Sequence, residues 1–252
     1  MKKINDFNLE KYSRQIIINE VGESGQLKII NSKIAIVGCG GLGTSAGQYL
    51  SMSGVGNLLL IDHDKIDLSN LNRQTLFTEE EIGKSKSKIL SEKLRKINSS
   101  GKVSYLDRKL TSKIINTCLD GFDIILDCTD NFESRILINN FCHKQKKILI
   151  SSALQSFDIQ AFIFASWQED NNPCYKCLFP NVSGDLYNSC NEMGILSYTA
   201  GMGGLIQANL ALNYVLGLKV NFREFILFDS MNFNLKKIKI NKNKKCKTCR
   251  NL

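Results

Sequence analysis

Short apolar runs alternate with helix-length polar and apolar stretches through the first 150 or so residues. Strands are predicted at 33–37, 57–61, 103–107, 123–127 and 148–151, with helices at 42–53, about 79–97, 111–119 and 132–144. Runs such as IAIV and LLLI are apolar without alternation. That pattern marks strands buried on both faces, as in a parallel sheet covered by helices on each side. Thr78 followed by Glu79, Glu80 and Glu81 reads as the cap of the long helix at 79–97. The second half changes character. Residues 159–167, 223–230 and 233–240 read as strands, the last with partial alternation, and their short connections predict antiparallel strands that extend the sheet. A helix at about 199–216 lies between them, and its glycines at 201, 203, 204 and 217 are expected to weaken it locally. Proline occurs only at 173 and 180, and no repeat or low-complexity linker appears. The expectation is one α/β domain over 1–252, a doubly wound, mostly parallel Rossmann-like sheet with an antiparallel C-terminal extension.

The ends of the first strands carry the chemistry. Ile34 to Val37 runs into Gly38-x-Gly40-x-x-Gly43, and Leu58 to Ile61 ends in Asp62, 19 residues past Gly43. Glycines let the backbone approach phosphates at a helix N-terminus, and an acid after the second strand reaches a ribose hydroxyl. The amides of Gly40, Gly41 and Leu42 are expected to face phosphates. For Asp62 the competing reading is a helix cap or a solvated strand end. Arg73, 11 residues beyond Asp62, is a cation that hydride transfer does not need but that cleavage of a triphosphate does. Lys86 is a further cation. With Lys84 and Lys88 nearby, it also reads as part of a solvated helix face. Asp127 and Asp130 end another strand in DCTDN, where ligands bind in parallel sheets. Asp130 suits Mg²⁺, which takes one or two carboxylates plus phosphate oxygens. Asp127 reads alternatively as the cap of the helix starting near Asn131, and Arg135 as the partner of either acid. This nucleotide-binding half spans about 30–152.

The remaining half, about 153–252, holds the strongest metal signal. Cys174-x-x-Cys177 and Cys246-x-x-Cys249 stand 68 residues apart, and two such pairs complete a closed tetrahedral zinc site. With all four positions filled by protein, such a site clamps the C-terminal tail and does not catalyse. Nine cysteines, an odd number, suggest a reducing, cytoplasmic compartment. Cys39, Cys118, Cys128 and Cys142 read as core or loop thiols, Cys190 stands alone, and His63 and His143 have no metal-like companions. No apolar run approaches the roughly 20 residues of a membrane helix, and the basic N-terminus lacks the apolar segment of a secretory signal. The net charge of +9 fits an acidic partner or simply a lysine-rich surface. The basic residues are dispersed and no aromatic-basic strip occurs, which disfavours nucleic acid.

Taken together, Tyr12-Ser13-Arg14-Gln15, the GCGGLG from Gly38, Asp62, SNLNRQ from Ser69 to Gln74, Gly83-x-x-Lys86, DCTDN from Asp127 to Asn131 and the two CxxC pairs resemble the ThiF/MoeB/HesA family, bacterial relatives of ubiquitin-activating enzymes, in family order over residues 12–249. The resemblance implies an adenylyltransferase. The C-terminal Gly-Gly carboxylate of a small ubiquitin-like sulfur carrier attacks the α-phosphorus of ATP, giving the acyl-adenylate and pyrophosphate. It assigns Gly38, Gly40, Gly41, Leu42, Gly43, Asp62, Asn70, Arg73 and Lys86 to ATP, Asp130 to Mg²⁺, and the four paired cysteines to Zn²⁺. It implies a homodimer in which Arg14 reaches the neighbour's triphosphate. Cys190 matches the cysteine that, in the thiazole branch, joins the activated carrier through sulfur. Further partners are a sulfurtransferase or cysteine desulfurase, and the pathways are thiamine or molybdopterin synthesis. The chain departs from the family with Ser85 where relatives commonly have Pro, and with Tyr198 and Leu210 where they often have Pro and Glu. Two other readings stand beside it: an NAD-dependent oxidoreductase on the same glycine loop, and a catalytically silent nucleotide-binding scaffold.

Overall fold

The structure is a computed structural model that describes residues 4–180 and 194–250. Three helices lead in: α1 (Asp6–Lys11), α2 (Ser13–Ile16) and α3 (Gly22–Asn31). Then β1 (Lys33–Val37), α4 (Gly41–Met52), β2 (Asn57–Ile61), α5 (Lys86–Ile97), β3 (Lys102–Leu106), α6 (Ile115–Leu119), β4 (Ile124–Asp127), α7 (Phe132–Lys144) and β5 (Ile148–Gln155) alternate in the expected way. The chain continues with β6 (Asp158–Phe164), α8 (Tyr175–Leu178), α9 (Ser197–Leu216), β7 (Glu224–Asp229) and β8 (Asn234–Lys239). All eight strands join one sheet in the order β3-β2-β1-β4-β5-β6-β7-β8. The strands from β3 to β5 pair in parallel, and β6, β7 and β8 add on antiparallel.

The unbroken apolar runs explain the layering. In β1, Ile34 and Ile36 face a core shared with α4, α5 and α9, while Ala35 and Val37 face a second core shared with α6 and α7. Each fully buried aliphatic side chain there stabilises the fold by about 1.5–3 kcal/mol against exposure. The strand order reverses between β1 and β4, whose ends are level because Val37 pairs with Asp127. That reversal opens a crevice at the carboxyl ends of the strands.

Several elements differ from the sequence expectation. The helix expected over 79–97 is interrupted. Thr78 forms its capping box, but this closes only a short 3₁₀ turn, Glu79–Glu81. Gly83 then takes φ +82°, and α5 starts at Lys86 with Ser85 as its N-cap. The break exists because this stretch is zipped to the segment after β2: Gly83 N–H donates to Ile66 O, Ile66 N–H to Lys84 O, and Lys86 N–H to Asp64 O. β5 runs on to Gln155, four residues beyond the expected end, because it pairs with β6 across a tight hairpin at Ser156 and Phe157. The expected helix at 111–119 forms only over Ile115–Leu119.

Two of the glycines of α9, Gly203 and Gly204, let it pack closely on α4. A Cβ at Gly204 would lie 2.4 Å from Leu42 O, and one at Gly203 would lie 2.7 Å from Leu42 Cδ2. Ser45 Oγ donates to Gly201 O at 2.8 Å across the same contact. Among the described residues, no helix is long and apolar enough to cross a membrane.

Candidate nucleotide site and cysteine cluster

The glycine loop sits at the crevice and its geometry requires the glycines it has. Gly38 adopts φ +96°, and a Cβ there would lie 2.5 Å from Cys128 O of the β4 loop. A Cβ at Gly43 would lie 1.9 Å from Gly38 O, so only glycine lets α4 turn back so tightly on β1. Gly40 is the N-cap of α4 and supplies no side-chain cap, which leaves the first amides of the helix open to a ligand. At Gly40 itself the nearest neighbour of an added Cβ would be Gln74 Nε2, at 3.8 Å. Gln74 is buried, and its Oε1 has no hydrogen-bond partner. An open cradle beside an orphaned buried acceptor fits a polar ligand such as a nucleotide.

Asp62 closes one side. It is only 9% exposed, so it is neither a solvated strand end nor a helix cap. Cys39 N–H donates to its Oδ2 at 2.6 Å and Asp64 N–H to its Oδ1 at 2.8 Å. Burial pushes the Asp62 carboxyl above its usual value, and the two amides pull it back towards the ionised form. Ser87 Oγ, in the first turn of α5, donates to Asp62 O and joins this acid to that helix.

Two cations flank the loop. Arg73 lies against the start of α4: its backbone O and Cγ stand 3.1 Å and 3.6 Å from where a Gly41 Cβ would be. Its Nη1 donates to Ser69 O and Asn72 Oδ1. Asn70 accepts from the amides of Arg73 and Gln74 through its carbonyl, which shapes the turn carrying both. Lys86 is not part of a solvated face. It is 7% exposed, and its Nζ donates to Asp64 Oδ2 at 3.1 Å. Asp64 itself was not singled out in the sequence. The signal available was the spacing Asp62-x-Asp64.

The β4 loop completes the crevice from the other side. Asp127 is fully buried and accepts from Ser151 Oγ at 2.7 Å, from Thr129 N and Oγ1 at 3.1 and 2.6 Å, and from Arg135 Nη1 at 3.4 Å. It does not cap α7. Asn131 does, accepting from Ser134 N–H at 2.9 Å. Arg135 therefore pairs with Asp127, and its Nη2 also donates to Thr129 O. Asp130 is exposed, with Asn131 Nδ2 donating to its Oδ1 at 3.3 Å. Gln207 of α9 reaches in from behind, donating to Asp127 O and Ile150 O and accepting from Cys128 Sγ. Arg14 lies elsewhere: it is exposed on α2, whose neighbours Tyr12 and Gln15 touch Gly54 and Ser53 at the far end of α4.

The four paired cysteines converge as expected. Their Sγ atoms all lie within 4.8 Å of one another, with separations of 3.9 Å (Cys174–Cys177), 3.6 Å (Cys174–Cys246) and 3.4 Å (Cys177–Cys249). These are too long for disulfides and match the roughly 3.8 Å edge of a tetrahedron with 2.3 Å Zn–S bonds. Hydrogen bonds from Cys174 and Cys249 hold the Cys177 thiol well down, and the same crowding pushes Cys174 up. The donor set therefore fits a structural zinc ion. Asp62, His63 and Asp64 form the other such group among the described residues, so His63 does have carboxylate companions, contrary to the sequence reading. Asp130 belongs to neither group. Cys39, Cys128 and Cys142 are buried, and burial pushes their thiols up, as core cysteines. Cys190 lies outside the described residues.

Fold and site define a Rossmann-like α/β protein with an open glycine loop and a four-cysteine cluster. Residues 12–248 match the ThiF family, and the chain belongs to that family. It is 33% identical over 247 residues to the Sulfur carrier protein ThiS adenylyltransferase of Escherichia coli, covering 98% of this chain and 97% of that protein. It is 35% identical over 249 residues to the Adenylyltransferase and sulfurtransferase MOCS3 of Drosophila virilis, covering 98% of this chain but 55% of that one. The chain thus spans about half the length of its MOCS3 relatives. Among solved structures it superposes on E. coli MccB with ATP at a TM-score of 0.80 with 20% identity, covering 99% of this chain and 77% of MccB. On MccB with N-formylated MccA the TM-score is 0.83 with 22% identity, covering 98% and 77%. At that identity the likeness concerns the fold.

Proposed function

We propose that this chain binds ATP in the crevice between β1 and β4 and adenylylates the C-terminal carboxylate of a small ubiquitin-like sulfur-carrier protein, as a step of sulfur transfer in thiamine or molybdopterin synthesis. One observation carries the reading. The uncapped N-terminus of α4, buried Asp62, and the cations Arg73 and Lys86 meet the Asp130 loop at one topological switch point. The near full-length similarity to a ThiS adenylyltransferase supports it.

The chemistry needs little from the protein beyond placement and charge. A carboxylate oxygen of the carrier forms a bond to the α-phosphorus, the α–β P–O bond breaks, and pyrophosphate leaves. The carboxylate is ionised at neutral pH, so no general base is required. The amides of Gly40, Gly41 and Leu42 with Arg73 and Lys86 hold the phosphates and stabilise charge on the departing pyrophosphate. Asp62 orients the ribose. Mg²⁺ on Asp130 would neutralise further phosphate charge, and a lone exposed carboxylate suits an ion that takes most of its ligands from phosphate and water. Zn²⁺ on Cys174, Cys177, Cys246 and Cys249 would be structural.

Arg14 acts from a second copy in this reading. Its neighbours pack at the C-terminal end of α4, a helix of 12 residues and so about 18 Å long, whereas the glycine loop is at the other end. Phe7, Ile17 and Ile18, within seven residues of Arg14 in the chain, are exposed, and exposed apolar side chains of this kind suit a two-fold contact. An oxidoreductase on the same loop would leave the burial of Lys86 and the position of Arg73 without purpose. Cys190, as the sulfur-linking cysteine, and a sulfurtransferase or cysteine desulfurase as sulfur donor remain part of the proposal. ATP–pyrophosphate exchange tests it. Exchange should require a thiazole-branch or molybdopterin-branch carrier and vanish when the carrier lacks its terminal glycine. Exchange that is independent of any carrier would contradict the reading.

A further inference from the structure

Lys86 is a long, flexible side chain, yet its ammonium is buried on the protein side and held at one point. Among the described residues its ion-pair partner is Asp64, at 3.1 Å, and the Asp64 side chain is half exposed while that of Lys86 is buried. The same residue grips α5 a second time, because Lys86 N–H donates to Asp64 O. Neighbouring contacts reinforce the grip: Lys65 bridges Ser85, and Ile66 N–H donates to Lys84 O. On its other side, Asp64 N–H donates to Asp62 Oδ1, while Cys39 N–H of the glycine loop donates to Asp62 Oδ2. Asp64 thus links the lysine at the start of α5 to Asp62, which is itself bonded to the glycine loop.

We infer that Asp64 is a positioning residue that fixes the Lys86 ammonium at the phosphate end of the nucleotide site. The inference rests on the ATP-binding reading above, and goes beyond it by assigning the group that sets the lysine in place before ATP arrives. A free lysine would lose its rotamer freedom on binding phosphate. A lysine already clamped has lost it before the phosphate arrives.

Binding of a non-hydrolysable ATP analogue and of adenosine to the same variants is the test, because a merely structural role would affect both ligands alike. Asp64→Ala should weaken the analogue about tenfold and leave adenosine within about twofold. Asp64→Asn, which keeps an oxygen for Nζ, should retain at least roughly half the analogue affinity. In a Lys86→Ala background, Asp64→Ala should have less than about a twofold effect on the analogue. If Asp64→Ala fails to fold, Asp64→Glu, which displaces the carboxylate by one methylene, reads the same ratio. Equal losses for both ligands, no loss for either, or a full loss persisting without Lys86 would each overturn the clamp. The readout is binding, so a failure of carrier adenylylation leaves it intact. Absence of analogue binding to the unaltered chain would remove the phosphate site and the clamp with it.

Discussion

Gly43 in the first turn of α4 and Asp127 at the end of β4 are both motif residues, but they act in different ways. Gly43 is where the backbone of α4 nearly touches Gly38 O, and no side chain fits. Asp127 is a buried anchor that accepts from Ser151, Thr129 and Arg135 and holds the loop in which Asp130 faces solvent. In the proposed reaction the exposed acid, Asp130, is the residue at the β4 end that meets the ligand. Asp130→Ala should leave the melting temperature unchanged, since exposed substitutions cost within about 0.5 kcal/mol. Carrier-dependent pyrophosphate exchange should fall at least about a hundredfold, the scale of one lost charge-stabilising group in a site. Near-normal exchange would dismiss Asp130 from the chemistry. The glycines, Asp62 and the paired cysteines were legible because their spacing alone implies a geometry. The burial of Lys86 was not. It depends on Asp64 and on the segment behind it, which no single-residue pattern encodes.

Among the elements, periodicity found every strand of the sheet and missed what tertiary pairing imposes. The Thr78 capping signal is real, but its helix stops after one turn because residues 83–86 are tied to 64–66. A cap describes where a helix starts, and only the paired segment decides how far it runs. Propensity treats the glycines of α9 as defects, whereas packing uses Gly203 and Gly204 as the contact surface with α4. Gly204→Ala tests that distinction. Its methyl would meet Leu42 O, Ser45 Cβ and Ala46 N, all within 2.9 Å. Overpacking of this kind costs about 1–3 kcal/mol, and the strain falls on the first turn of α4. A lower melting temperature together with weaker ATP binding is expected. A stabilised variant, as helix propensity alone would give, would contradict the packing account.

The cysteine cluster ties α8 to the C-terminal tail, and both are fastened to α7, through Tyr175 N–H to Asn139 Oδ1 and Thr248 Oγ1 to Asn140 Oδ1. Asn139 and Asn140 are about two turns from the Asp130 end of α7. Cys246→Ser should therefore release the metal and lower thermal stability while ATP affinity stays within about twofold, as for distant sites with no shared partner. Metal analysis finding no zinc in the unaltered protein would sink the assignment. The second whole-molecule claim is that Arg14 serves a neighbour. Mixing Arg14→Ala with Asp130→Ala protein under subunit exchange should restore roughly a quarter of normal exchange activity, since half the dimers are mixed and each has one intact site. No recovery after demonstrated exchange would put Arg14 in its own subunit's site or outside the chemistry.

The predictions read by pyrophosphate exchange presuppose that the α-phosphate of ATP goes to the carrier. Incubation of the protein and Mg²⁺ with each carrier and with ATP labelled at either the α- or the γ-phosphorus tests that most directly. The account predicts α-label on the carrier, released by hydroxylamine as expected of an acyl-adenylate, and γ-label in pyrophosphate. Appearance of γ-label on the carrier, or of neither label with any carrier that binds, would contradict it.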